Sequence, residues 1–137
     1  MIDLAEKDDS ISLEMLNALF ESKNVKNLSF WLKCLYSKKT PAKYIIWTNE
    51  QPLLMADGLL PDLHVALRKI TNPKLLAQLV EALRGRTDTK SIDIVISLLS
   101  HPDPSVRYFA ASVTRDNPSI RLKEPRIRKL IENNLHN

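Results

Sequence analysis

Residues 92–113 read IDIVISLLSHPDPSVRYFAASV, from Ile92 to Val113, and this order of apolar, turn and apolar segments decides the fold class. Ile92–Leu99 is apolar around most of its circumference, which predicts the most buried helix of the chain. His101-Pro102-Asp103-Pro104 interrupts it. Proline suits a first helical position because its missing N–H would have no partner there, and Asp103 before it is placed to accept an orphaned N–H. Val106–Val113 then predicts a second helix.

Working outward, the same device recurs. Thr40-Pro41, Asn72-Pro73 and Asp103-Pro104 each join a capping residue to proline, and the prolines lie 32 and 31 residues apart. An apolar helix is predicted before each pair (Leu28–Tyr36, Leu63–Ile70, Ile92–Leu99) and another after it, such as Leu75–Leu83, which Gly85 would stop. In this register Leu79 falls on Ala110 and Val80 on Ala111. A two-helix unit repeating every ~30–40 residues is the signature of an α-solenoid. Ile11–Phe20 predicts a leading helix with Ser10 as its N-cap, and Ile127–Leu135 a final one. Thr48–Pro61, with Pro52, Gly58 and Pro61, reads as a kinked or short helix plus a loop. No segment alternates with period two, so no sheet is expected. The reading is a single all-α domain: a short right-handed α-solenoid of about three helix pairs (roughly 24–58, 59–86 and 90–116) with an N-terminal helix 10–22 and a C-terminal helix 125–135.

The unit at 92–113 resembles a short HEAT-like repeat. Two leucines, Leu98 and Leu99, close its first helix, Asp103-Pro104 precedes Val106-Arg107, and Ala110-Ala111 follow in the second helix. The resemblance implies that Asp103 sits in the turn, that Arg107 hydrogen-bonds toward acids of its own or a neighbouring turn, and that the alanines let the helices approach. It covers this one unit. Pro73 is followed by Lys74-Leu75-Leu76 and Pro41 by Ala42-Lys43-Tyr44, without the arginine.

Composition narrows the chemistry. Two glycines in 137 residues leave no room for a Gly-rich phosphate loop or a hairpin-dense β fold. One cysteine, Cys34, excludes a disulfide framework and a multi-cysteine metal site, and on an apolar helix it reads as a small buried side chain. His64, His101 and His136 show no metal-ligand spacing. Asp8 and Asp9 lie in an acidic leader, and Asp57, Asp62, Asp88 and Asp93 read as caps or turn residues instead of an acid–base pair. No enzyme activity, cofactor or metal is expected. The acidic start does not resemble a secretory signal, and the apolar runs are far below the ~20 residues that span a bilayer, so a cytoplasmic protein is expected.

The charge is unevenly placed. The chain carries a net +4, yet residues 1–21 hold six acids against one base, a net −5, and the remainder holds 19 bases against 10 acids, a net +9. Two binding readings follow. In the first, the helices after each capping pair line an inner surface and present Lys43, Trp47, Lys74, Gln78, Tyr108, Ser112 and Arg115 to one protein partner, since Trp, Tyr and Arg in a strip have hot-spot composition. Trp47 and Tyr44 could equally fill the core. In the second, Arg121, Lys123, Arg126 and Arg128 contact phosphates of a nucleic acid. A short helical-repeat chain without chemistry of its own also looks like the bacterial immunity proteins that neutralise a cognate toxin in contact-dependent growth inhibition. That likeness implies a toxin domain as the partner. A scaffold subunit of a larger complex is the remaining reading.

Overall fold

Ser12, and not Ser10, starts the first helix. In the computed structural model, which describes residues 10–41, 44 and 58–136, the Ile11 N–H donates to the Lys39 carbonyl at 3.2 Å and Ser10 forms an isolated parallel bridge with Lys39. That pairing holds Ser10 and Ile11 extended. The next residue, Ser12, is therefore the one whose hydroxyl accepts the Met15 N–H. Among the described residues there is no strand, and the molecule is all-α. The chain divides into two compact units, Met1–Thr71 and Asn72–Asn137, and the boundary falls inside the expected helix pair 59–86.

The first unit contains α1 (Leu13–Glu21), α2 (Val25–Ser37) and α3 (Leu60–Lys69). Lys23, at φ 53°, makes the tight left-handed turn after α1, and the Asn24 side chain caps α2 by accepting from the Lys26 and Asn27 N–H groups. Leu16, Leu19 and Phe20 of α1 face Leu28, Trp31, Leu32 and Leu35 of α2, which packs in turn on Leu63, Ala66 and Leu67 of α3. Cys34 is fully buried, as its apolar setting predicts. Tyr44 is core, 3% exposed, and its hydroxyl accepts the Trp31 indole N–H at 2.6 Å. Phe20 and Tyr44 both lie against the Trp31 ring. The helix expected after Pro41, and most of Thr48–Pro61, lie outside the described residues.

The second unit contains α4 (Pro73–Leu79), a 3-10 turn (Val80–Leu83), α5 (Thr89–Leu98), α6 (Pro104–Thr114), a second 3-10 turn (Ile120–Lys123) and α7 (Pro125–Leu135). The two proline starts 31 residues apart are alike: Asn72 accepts from the second and third N–H groups after it, and Asp103 does the same. The single helix expected over Leu75–Leu83 is instead α-helical to Leu79 and 3-10 beyond. The final turn tightens so that the Arg84 N–H reaches the Glu81 carbonyl, and Gly85 ends it at φ 81°. α6 is central, packing on α4, on its 3-10 extension, on α5 and on α7. Ala110 and Ala111, fully buried, are what allow the close approach. The expectation that Ile92–Leu99 is the most buried helix is corrected. Asp93 and Ser97 of that segment are exposed, whereas Ala77 and Ala82 extend the buried face of Leu75–Leu83 around the chain.

Candidate functional site

Arg107 fixes the geometry from which the site is built. Its guanidinium Nη1 donates to the His101 carbonyl at 2.8 Å and the Pro102 carbonyl at 2.9 Å, and its Nε donates to Asn134 Oδ1 at 3.3 Å. This corrects the expected bond to a turn acid. Asp103 Oδ1 is taken by the Ser105 and Val106 N–H groups, so the arginine turns to the carbonyls beside it. Asn134 in turn donates to the Leu99 carbonyl at 3.2 Å and the Leu130 carbonyl at 2.9 Å. One asparagine thus ties α7 to the turn between α5 and α6. Ile127 and Ile131 complete the docking from the apolar side of α7.

With α7 held there, two concavities open beside it. The one between α6 and α7, about 440 Å³, is lined by Tyr108, Arg115, Arg128, Ile131, Glu132, Leu135 and His136. Three residues singled out in the sequence meet in it: Tyr108 and Arg115 from the protein-contact set and Arg128 from the phosphate set. Tyr108 is 47% exposed and stands edge-on to Phe109. Neither arginine forms an ion pair among the described residues. Glu132, one turn after Arg128, contributes a carboxylate to the same wall. The second concavity, about 560 Å³, lies between α5 and α7 and is lined by Ile96, Ser97, Ser100, Arg126, Ile127, Lys129, Leu130 and Asn133.

The other expected contacts are dispersed. Lys74 is exposed in the first turn of α4, and Gln78 Nε2 donates back to its carbonyl at 3.1 Å. Ser112 is held by Arg84, whose guanidinium donates to the Ser112 carbonyl at 3.2 Å and hydroxyl at 3.1 Å while also forming an ion pair with Glu81. The Glu81 hydrogen bond keeps the Arg84 guanidinium above its ordinary pKa. Arg121 pairs with Asp93, Arg126 stands 3.9 Å from Glu124, and Lys123 is exposed between them in sequence. Lys43 and Trp47 lie outside the described residues.

Sequence reasoning missed Leu135 and Asn133 as site residues and weighed His136 only as a metal ligand, although their spacing from Arg126 and Arg128 already placed them on two flanks of one helix. It also missed Arg84, which the 31-residue register sets opposite Arg115. Among the described residues no three His, Cys, Asp or Glu side chains are grouped as metal ligands, and no helix is long and apolar enough to cross a membrane. An aromatic face, two guanidinium groups and an aliphatic floor line the α6/α7 concavity. No protein-family model, curated protein or solved structure matches this chain.

Proposed function

We propose that the chain is a non-enzymatic, HEAT-like helical module that binds one protein partner through the α6/α7 concavity. The observation that carries this reading is Tyr108, a large aromatic side chain left 47% exposed beside Arg115 and Arg128 over an aliphatic floor. Tyr grouped with Arg over an apolar floor is the composition of an interface centre. The solenoid arrangement is part of the proposal. It draws on the two alike proline-capped starts, Asn72 and Asp103, and on the packing of α4 along α6. In its most specific form the partner is a bacterial toxin domain and the chain its cytoplasmic immunity protein. The concavity would then cover part of the toxin's working surface.

Affinity capture from the native organism tests this. Full-length chain is expected to retain one protein in near-equal amount, and Tyr108→Ala to lose it at unchanged helical content. Retention of many proteins, or of the same protein by Tyr108→Ala, contradicts the reading. The immunity form further requires the gene to lie directly beside that of its toxin. Nucleic-acid binding draws less support, because Arg121 and Arg126 stand beside acids and do not join Arg128 in one groove.

A further inference from the structure

We infer that the partner presents an acidic surface, with carboxylates on both sides of α7 and an aliphatic side chain in the α6/α7 concavity. This rests on the reading of that concavity as a protein-docking surface, and adds the chemistry of what docks. The charge pattern carries it. On one flank of α7, Arg115 and Arg128 line the same concavity as Tyr108. On the other, Lys129 and Arg126, the latter 3.9 Å from Glu124, rim a concavity whose remaining polar groups are Ser97, Ser100 and Asn133. A guanidinium donates two parallel hydrogen bonds to a carboxylate, so two arginines lining one concavity favour planar carboxylates over a diffuse negative field. The floors are apolar on both sides: Ile131 and Leu135 in one, Ile96, Ile127 and Leu130 in the other.

A nucleic-acid backbone suits the wall as a whole less well. Its phosphates are acceptors only, and Glu132, in the same wall as Arg115 and Arg128, would be left facing them. A polypeptide carries N–H groups as well as carboxylates, and can satisfy Glu132 and both arginines together.

The test is a nitrogen-15 NMR titration of the full chain with three probes: a synthetic peptide alternating glutamate and leucine, its lysine–leucine counterpart, and single-stranded oligothymidylate of the acidic peptide's charge. The acidic peptide is expected to shift the resonances of Tyr108, Arg115, Arg128 and Lys129. The double variant Arg115→Glu/Arg128→Glu should weaken it about tenfold or more, consistent with two exposed charge pairs. If that variant does not fold, Arg115→Gln and Arg128→Gln singly should each show a smaller loss in the same direction. Equal shifts from the lysine peptide would overturn the acidic partner while leaving protein docking in place. Tighter binding of oligothymidylate would overturn it in favour of nucleic acid. Absence of shifts from all three would also overturn it, and the capture experiment with Tyr108→Ala then decides separately whether a protein docks there.

Discussion

Within the first unit, the Trp31 indole N–H and the Tyr44 hydroxyl satisfy one another where water does not reach. Replacing Tyr44 by Phe keeps the ring and removes the acceptor, leaving a buried donor without a partner. We expect a loss of about 1–3 kcal/mol in denaturant unfolding. The same hydroxyl makes the fold sensitive to alkali. Burial raises its pKa, the Trp31 bond lowers it in part, and the outcome is a value pushed up to about 12 from 10. Ionised tyrosine is thus disfavoured in the folded state, so this contribution is complete below pH 10 and is lost as pH rises from 10 through about 12. The loss should reach roughly 2–3 kcal/mol at most, and should be absent from Tyr44→Phe measured in parallel. In the second unit Asn134 has a comparable weight. Asn134→Ala removes its donations to Leu99 and Leu130 and the acceptor of Arg107 Nε, and should cost about 1–3 kcal/mol. Hydrogen exchange reads the location: amides of α7 should exchange faster, whereas a uniform change across the second unit would show that Asn134 is not a local tie.

Helix starts are where the sequence was most informative at the level of elements. Asn72 and Asp103, recognised by the proline after each, cap α4 and α6, and alanine at either position should cost about 1 kcal/mol of unfolding free energy. Asp88 caps α5 as its residue type suggested. Burial alone would raise its pKa, but the Ser91 hydroxyl and N–H and the Arg86 guanidinium outweigh that and hold the carboxyl below its ordinary range. Its contribution is therefore present above the ordinary aspartate range and fades as pH falls through it. α7 is built differently. Glu124 makes no side-chain cap, and Arg126 and Arg128 lie near the positive end of the helix dipole with no acid in the first turn. Glu124→Asp should let a shorter carboxylate reach the free N–H groups at unchanged charge, stabilising the chain by up to about 1 kcal/mol, and an unchanged denaturation midpoint would refute this. Helix ends were less legible. The apolar spacing of Leu75–Leu83 is the same for an α-helix and for one that tightens into a 3-10 turn, and the choice is made by packing against α6. Ser10 and Ser12 are equally good caps by type, and the pairing with Lys39, 29 residues away, selects Ser12.

Across the whole molecule, residue types announced the helical class while grouping of the candidate site depended on tertiary structure. Tyr108, Arg115 and Arg128 were each visible as exposed positions, but assigned to different partners, because nothing local says that α7 docks along α6. That docking is set by Asn134 reaching Leu99, a contact 35 residues apart. Charge was readable throughout, and it bears on how a partner arrives. Residues 22–137 carry 19 of the 20 basic side chains against 10 acids. The exposed arginines of the second unit should steer an acidic protein at a distance, whereas Tyr108 acts only after contact. Long-range attraction raises the association rate and is screened once the Debye length falls from about 10 Å at 0.1 M salt to about 3 Å at 1 M. Buried aromatic contact mainly sets the dissociation rate. With the captured partner in hand, surface plasmon resonance should separate the two. Raising salt across that range should slow association more than it changes dissociation, whereas Arg128→Gln should slow association and also speed dissociation, because its carboxylate contact in the complex is lost. Tyr108→Ala should speed dissociation about tenfold or more, an interface-centre loss near 1.4 kcal/mol, and leave the salt dependence of association intact. If salt leaves the association rate unchanged, the arginines act only as contacts within the complex and not also as a steering field, and the placement of Tyr108 at the interface centre would stand or fall on its own dissociation rate.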